Sequence, residues 1–399
     1  MPERFNQPSA LHIAGVNIVD VVTNTVLWKS SLTVIDGRIS AIGSAPPQHA
    51  TVLELPGCWV SPGLVDVHAH VTFEPRAHYD AVSFSYGEDS DFSVLRGIRN
   101  LTEAARLGIC LVRDVGGRDR PSREVRELAN SGKLNLPYLV TAGEPLCIEG
   151  GHGSEFGQVI AESDAFTLQR YLRSHREAGH EWLKIMNGPE HWDAADLSSI
   201  IDVAHSEGLK VAVHAFTPQG IHDAVQAKAN TLEHAMLSDR SLIMAAINNS
   251  IAFVPTYYCS WLSLRPRFTW TQHETELSHL EFWRALLCER QGTHVASGII
   301  TLPGTDAGCA PCTFDDYFQE LEQFRLWGMP QSAILHSASI AAARVLGKTE
   351  DFGSVTEGKW ANIIVTEKSP IEAIAHLRNP VLTLLKGVDV VNHLGEQWT

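Results

Sequence analysis

His68 and His70 stand one residue apart in the run Ser61-Pro62-Gly63-Leu64-Val65-Asp66-Val67-His68-Ala69-His70. On an extended strand alternate side chains share a face, so both imidazoles point one way while Val65 and Val67 pack on the other. Two neighbouring imidazoles at the end of an apolar strand can grip one metal ion. The chain carries 19 histidines, so an isolated H-x-H pair arises easily by chance. This pair gains weight because further ligand types follow it in order.

Lys184 lies inside the apolar run Trp182-Leu183-Lys184-Ile185-Met186. A buried ammonium is costly. It is either paired with a carboxylate or deprotonated and carboxylated by CO2, and the resulting carbamate is an anionic ligand able to bridge two metals. His214 ends Val211-Ala212-Val213-His214, and His234 ends Thr231-Leu232-Glu233-His234. Either histidine alone reads more often as a structural hydrogen-bonding residue. Asp306 ends Pro303-Gly304-Thr305-Asp306, where an aspartate also serves as a turn or helix cap. Six such residues at successive strand ends are hard to explain as independent structural features. Their nitrogen and oxygen donors suit a divalent cation such as Zn2+.

The elements that must hold them alternate. Candidate strands fall at 64–70, 109–115, 138–142, 182–186, 210–215, 231–235, 251–257 and 299–305. Amphipathic helices lie between several of them. In 195–207, Leu197, Ile200, Ile201 and Ala204 keep helical spacing, and Gly208 is placed to cap the end. Asn230 is expected to close a helix over 220–229. Eight strands alternating with helices over roughly 280 residues match an α/β fold of the (β/α)8, TIM-like barrel type, with a doubly wound open sheet as the alternative. The ligand candidates then lie at the C-terminal strand ends, where barrels place their chemistry. Residues 1–60 and 351–399 are different: short β-rich segments with a hairpin turn at Asp36-Gly37 and turns at Gly358 and Gly387. We expect a small β-sandwich domain formed by both termini around a barrel over 61–350.

The 399 residues are 44% hydrophobic and 19% charged, as in a globular enzyme. A net charge of -15 argues against nucleic acid or an anionic membrane as partner. No apolar run approaches the length of a membrane span. The 7 cysteines are odd in number and scattered, which suits reduced thiols in the cytoplasm. The first eight residues contain no apolar core of a signal peptide. A small-molecule amide or peptide is the expected partner, and a homo-oligomer is left open.

At this point the chain resembles the amidohydrolase superfamily. The resemblance rests on the Pro62–His70 run, Val112-Arg113-Asp114-Val115-Gly116-Gly117, the Gly150-Gly151-His152-Gly153 loop, Lys184, His214, Glu233-His234 and Gly304-Thr305-Asp306-Ala307-Gly308. The closing segments Ala341-Ala342-Ala343-Arg344-Val345-Leu346-Gly347 and Gly353-Ser354-Val355-Thr356-Glu357-Gly358-Lys359 extend it. Within that superfamily it looks most like the imidazolonepropionase-related branch of metal-dependent Xaa-Pro and Xaa-Arg dipeptidases and ochratoxin-type amidases. The stretch Met186-Asn187-Gly188-Pro189-Glu190-His191-Trp192 departs from the Gly/Ser-rich pattern usual there.

The resemblance implies two metal ions. His68, His70 and Asp306 would bind one, His214 and His234 the other, with carboxylated Lys184 as bridge. Two metals about 3.5–4 Å apart hold a bridging hydroxide at neutral pH, which would attack an amide carbonyl. Asp306 would take the water proton and pass it to the leaving nitrogen. His152, and after it Tyr257, are the candidate donors to the developing oxyanion. The expected substrate is a dipeptide or N-acyl amino acid, with a cyclic amide or lactone as alternative. A mononuclear deaminase would want an acid near the third histidine, but Ala215-Phe216-Thr217-Pro218-Gln219 follows His214. A catalytically silent, metal-bound scaffold would have no need of Asp306 beside the water.

Overall fold

Parallel strands buried along nearly their whole length organise the larger part of the chain. The computed structural model describes residues 10–75, 85, 87–154, 157–159, 165–188, 192–263, 293–309 and 311–394. The expectations for the first eight residues, and for Pro189, Glu190 and His191 in the stretch after Lys184, lie outside the described residues. One parallel sheet joins Leu64–Ala69, Ile109–Asp114 and Tyr138–Thr141. A second joins Trp182–Asn187, Lys210–Ala215, Thr231–His234 and Ala252–Val254. The short strand Leu146–Cys147 pairs with the first of these. Between the strands run the helices Ser90–Arg106, Asp119–Asn130, Ala165–Glu177, Ala194–Ser206, Pro218–Gln226 and Arg240–Asn248. This is the α/β content and order of a TIM-like barrel.

Backbone bonds span both seams between the two sheets. At one, the Glu181 amide donates to the Thr141 carbonyl at 3.2 Å. At the other lies the stretch 299–305, expected to be the eighth strand. It forms no regular strand. Pro303 has no N–H to offer a ladder, and Gly304 passes so close that a Cβ there would lie 2.5 Å from His68 Cβ and 2.8 Å from Val254 Cγ1. The stretch is nonetheless bonded on both sides. Phe253 and Leu302 exchange bonds with it and its neighbour, the Phe253 amide to the Ile300 carbonyl and the Leu302 amide to the Phe253 carbonyl, each at 2.8 Å. On the far side the Val67 amide donates to the Pro303 carbonyl at 3.1 Å and the Asp306 amide to the His68 carbonyl at 2.8 Å.

The helices follow their local signals. Ala194–Ser206 is capped by Asp193, whose carboxylate accepts from the Ala195 and Asp196 amides. Its buried residues are Leu197, Ile200, Ile201 and Ala204, and Gly208 beyond it takes φ 79°. Full burial of each large side chain is worth roughly 1.5–3 kcal/mol. The helix expected over 220–229 starts earlier and ends earlier, at Pro218–Gln226. Thr217 caps it and Pro218 fills its first turn, where a missing N–H costs nothing. Lys228, at φ 60°, takes the left-handed position assigned above to Asn230. Asn230 instead accepts from the Val211 amide at 2.7 Å and from His205 Nε2 at 2.9 Å, bracing the next strand.

Both ends of the chain do meet in one β unit. Its strands are Ala10–Asp20, Thr25–Ile35, Arg38–Ile42, Thr51–Glu54, Trp59–Pro62, Ile363–Thr366, Leu382–Leu385 and Val388–Asn392. They form one continuous hydrogen-bonded sheet, in which Ala10–Asp20 pairs with Thr51–Glu54 near its start and with Trp59–Pro62 near its end. Asp36 and Gly37, at φ 49° and 77°, make the expected tight hairpin.

Gly308 turns the chain back from Asp306 at φ 104°, and a Cβ there would lie 2.1 Å from the His70 carbonyl oxygen. Gly308→Ala must therefore push the 303–308 stretch off the His70 strand. We expect a stability loss of about 2–4 kcal/mol from forbidden backbone and overpacking combined. Urea unfolding should show a lower midpoint at unchanged slope.

Candidate metal centre

The site begins with a carboxylate that touches no candidate ligand side chain. Asp66 Oδ1 accepts from the His68 amide at 3.1 Å and the Thr305 amide at 3.2 Å, and its Oδ2 accepts from the Thr305 hydroxyl at 2.6 Å. It thus ties the strand bearing His68 to the stretch bearing Asp306. Burial raises the Asp66 carboxyl to about 6, with the Thr305 hydroxyl and two amides pulling the other way.

His68 is fully buried, and its Nδ1 lies 2.6 Å from Glu233 Oε2. Arg113 donates to the other oxygen of Glu233 at 2.9 Å, to the Val67 carbonyl at 2.6 Å and to the Thr231 hydroxyl at 3.0 Å. Its guanidinium lies 4.3 Å above the Trp182 ring. Burial alone would protonate Glu233, but Arg113 and then His68 hold its carboxyl well below the usual range. An ionised Glu233 fixes the proton of His68 on Nδ1 and turns the Nε2 lone pair outward. His70 is fixed in the same sense. Its Nδ1 donates to the Gly116 carbonyl at 2.7 Å, and Phe73 stacks on its ring.

Both Nε2 atoms face one acceptor. Asp306 Oδ1 is 3.3 Å from His68 Nε2 and 3.2 Å from His70 Nε2. The ligand atoms of these three residues all lie within 4.8 Å of one another. His68 Nε2, His214 Nε2 and Asp306 Oδ1 are buried and have no hydrogen-bond partner. Lone pairs turned on one another at this range require positive charge between them. The electrostatics agree: against the cost of burial, Cys309 and Asp306 raise His70 to about 10, and Asp306 itself is held well below the carboxylate range, mainly by His68, despite its burial.

His214 and His234 complete the cluster. Their rings are 4.6 Å apart, and His234 is 5.0 Å from His68. Strand alternation would send Glu233 and His234 to opposite faces, yet both reach the centre. His234 does so by leaving the strand at φ 67°, and its Nδ1 is held at 2.8 Å by the Thr256 hydroxyl. Burial, reinforced by neighbouring cationic groups, lowers His214 well below its ordinary value and His234 to about 3, so both are neutral ligands in waiting. Burial likewise lowers Lys184, against the pull of Glu233 and Asp306.

His152 is exposed, with its ring 4.8 Å from that of His214. Gly188 makes the room, since a Cβ there would lie 2.7 Å from His152 Cβ. Tyr257 is buried, with its ring against Phe324 and Trp327 and its hydroxyl 3.4 Å from His294 Nδ1. Asp66, Arg113 and Glu233 carry the support of the site without having been assigned roles from sequence. The available signal was a charge inside each of three apolar strands, since such a charge must be paired.

Glu233→Gln should cut zinc affinity by about 10–100-fold, the usual scale for the outer partner of a ligand histidine. It should also destabilise the fold by about 3–5 kcal/mol, because Arg113 is left buried and unpaired. Isothermal titration and chemical unfolding of the purified variant measure the two effects separately.

The chain matches the model of the Amidohydrolase family over residues 59–390. An uncharacterized protein of Mycobacterium tuberculosis strain H37Rv is 23% identical over 392 residues, which cover 94% of this chain and 95% of that protein. Ochratoxinase of Aspergillus niger is 23% identical over 361 residues, covering 80% of this chain and 72% of the relative. Among solved structures, a Xaa-Pro dipeptidase with methionine bound in its active site has a TM-score of 0.83 at 21% identity, covering 96% of this chain and 99% of that one. The crystal structure of A. niger ochratoxinase has a TM-score of 0.80 at 18% identity, covering 97% and 96%. The family match spans most of the chain and takes in the whole cluster from His68 to Asp306, and the chain belongs to the amidohydrolase family.

Proposed function

We propose that the protein is a binuclear metal-dependent hydrolase of carbon–nitrogen bonds, acting on a dipeptide or N-acyl amino acid. One observation carries the reading: the buried, unbonded His68 Nε2 and Asp306 Oδ1 face each other at 3.3 Å while the opposite nitrogen of His68 is tied to Glu233. His68, His70 and Asp306 would hold one ion, and His214 and His234 a second. Lys184 would bridge them as a carbamate. Carboxylation needs the neutral amine, which burial of Lys184 favours. The nitrogen and oxygen donors suit Zn2+. Bound there, the metal pair would polarise a substrate carbonyl and supply hydroxide at neutral pH.

The chain's own groups do the rest. Asp306, kept ionised by its histidines, can accept a proton from water and deliver it to the leaving amine nitrogen. The Asp66–Thr305 bonds hold it in register with His68. His152, at the exposed rim beside His214, is placed to meet an anionic end of the substrate or its carbonyl oxygen. The relatives named for dipeptide and ochratoxin chemistry support an amide substrate. We further take the bonds at both seams as closing an eight-position barrel, and the chain as divided into 1–60 and 351–399, the shared β unit, and 61–350, the barrel. The six described cysteines form no disulfide, which accords with a cytoplasmic setting.

Metal analysis of protein prepared with zinc and bicarbonate should give close to two ions per chain. A stable stoichiometry of one would remove the bridging lysine. Asp306→Asn should lower kcat by about 10²–10⁴-fold, the scale of a lost general base, with much of the metal retained. Near-normal turnover would refute the role. In a screen of dipeptides and N-acyl amino acids, amidating the substrate carboxylate should abolish efficient cleavage. If blocked and free substrates are cleaved alike, a cyclic amide or lactone becomes the better substrate class.

A further inference from the structure

Asp306 has two carboxylate oxygens, and the histidines account for one. Oδ1 faces His68 and His70. Oδ2 lies 3.5 Å from the Sγ of Cys259, a normal distance for a thiol donor. Cys259 comes from the short helix Tyr257–Ser263, which leaves the barrel directly after Thr256. That helix is pinned at its start. The buried Glu320 carboxylate accepts from the Tyr257 amide at 3.0 Å and the Tyr258 amide at 2.7 Å, and the Ser260 hydroxyl donates to the Thr256 carbonyl at 3.0 Å. Thr256 in turn bonds His234. The sulfur is therefore delivered to Asp306 by a segment whose position is fixed at several points.

The sulfur has the Cys312 thiol as a second hydrogen-bonding neighbour beside Asp306. Cys259 packs in one buried cluster with Leu262 and Cys312. The backbone that carries Asp306 is set independently by a turn in which the Cys309 amide donates to the Asp306 carbonyl at 3.1 Å and the Cys312 amide to the Cys309 carbonyl at 2.8 Å. What the turn leaves free is rotation of the carboxylate about its Cβ–Cγ bond. A metal ligand that also moves protons needs that rotation stopped.

We propose that Cys259 is the positioning residue for Asp306, its thiol donating to Oδ2 so that Oδ1 stays turned toward His68 and His70. The role rests on the metal-hydrolase reading and adds to it a residue on a different element. A thiol holds the carboxylate with one weak, directed bond and leaves it ionised.

The test uses Cys259→Ala and Cys259→Ser, each in the full-length protein. Cobalt(II) titration followed by its visible spectrum reads the carboxylate directly and needs no substrate. Cys259→Ala should bind cobalt about three- to tenfold more weakly with an altered band, as expected when one hydrogen bond to a charged group is lost. Cys259→Ser keeps a donor and should recover the wild-type affinity and band. With the best-cleaved dipeptide or N-acyl amino acid, kcat should fall by about tenfold in Cys259→Ala while KM stays within about twofold. Wild-type behaviour of Cys259→Ala or failure of Cys259→Ser to restore it would each overturn the proposal. If no amide is cleaved, the substrate reading fails while the cobalt arm still decides the role of Cys259. If wild-type protein binds no cobalt, the metal centre and the positioning role fall together.

Discussion

The buried chain Arg113–Glu233–His68 is the interaction on which the centre depends. All three side chains are withdrawn from water. A carboxylate at that depth is tolerated only with cations and donors on both oxygens. Glu233 has Arg113 and Thr231 on one oxygen and His68 on the other. The arrangement spends desolvation energy to obtain a single protonation pattern. With Glu233 ionised, His68 has its proton on Nδ1 and a lone pair on Nε2. The same logic recurs with weaker partners at His70, through a carbonyl, and at His234, through a hydroxyl. In each case the protein settles the nitrogen that faces away from the site and leaves the other one for a cation.

A second constraint is backbone strain at the rim. His234, Ala235, Thr256 and Asp306 all adopt positive φ, between 45° and 67°. None is glycine, and each conformation costs of order 1–3 kcal/mol unless the surroundings enforce it. Here they do. Asp306 is gripped through its amide by His68 and through Thr305 by Asp66. Thr256 and His234 hold each other. The strain lets strand-end residues turn inward where regular alternation would turn them away.

The terminal sheet contributes by continuity. Trp59–Pro62 belongs to that sheet, and one residue later Leu64–Ala69 begins the barrel. Gly63 between them donates to the Asn362 carbonyl at 2.8 Å, and any side chain there would press on Cys110. The strand that ends in the two histidines is thus anchored at its start by the C-terminal part of the chain. This explains why segments far from the cluster in sequence belong to the same family pattern.

The sequence by itself determined the residue types, their order and the elements that carry them. His68, His70, Lys184, His214, His234 and Asp306 stood out because each ends or interrupts an apolar strand, and apolar alternation with helical spacing is a local property of the chain. Helix Ala194–Ser206 and the Asp36-Gly37 hairpin were legible for the same reason. The tertiary structure decided what depends on neighbours distant in sequence. It buried Tyr257 among Phe324 and Trp327 and brought Cys259, two residues on, to Asp306. It moved the left-handed cap from Asn230 to Lys228, because Asn230 was needed by Val211 and His205. It replaced the expected eighth strand with an irregular stretch bonded on both flanks, since Pro303 and Gly304 break the ladder where the backbone must pass His68. Which nitrogen of His68, His70 and His234 faces the centre was decided there too. That choice belongs to Glu233, Gly116 and Thr256, and no spacing along the chain could have revealed it.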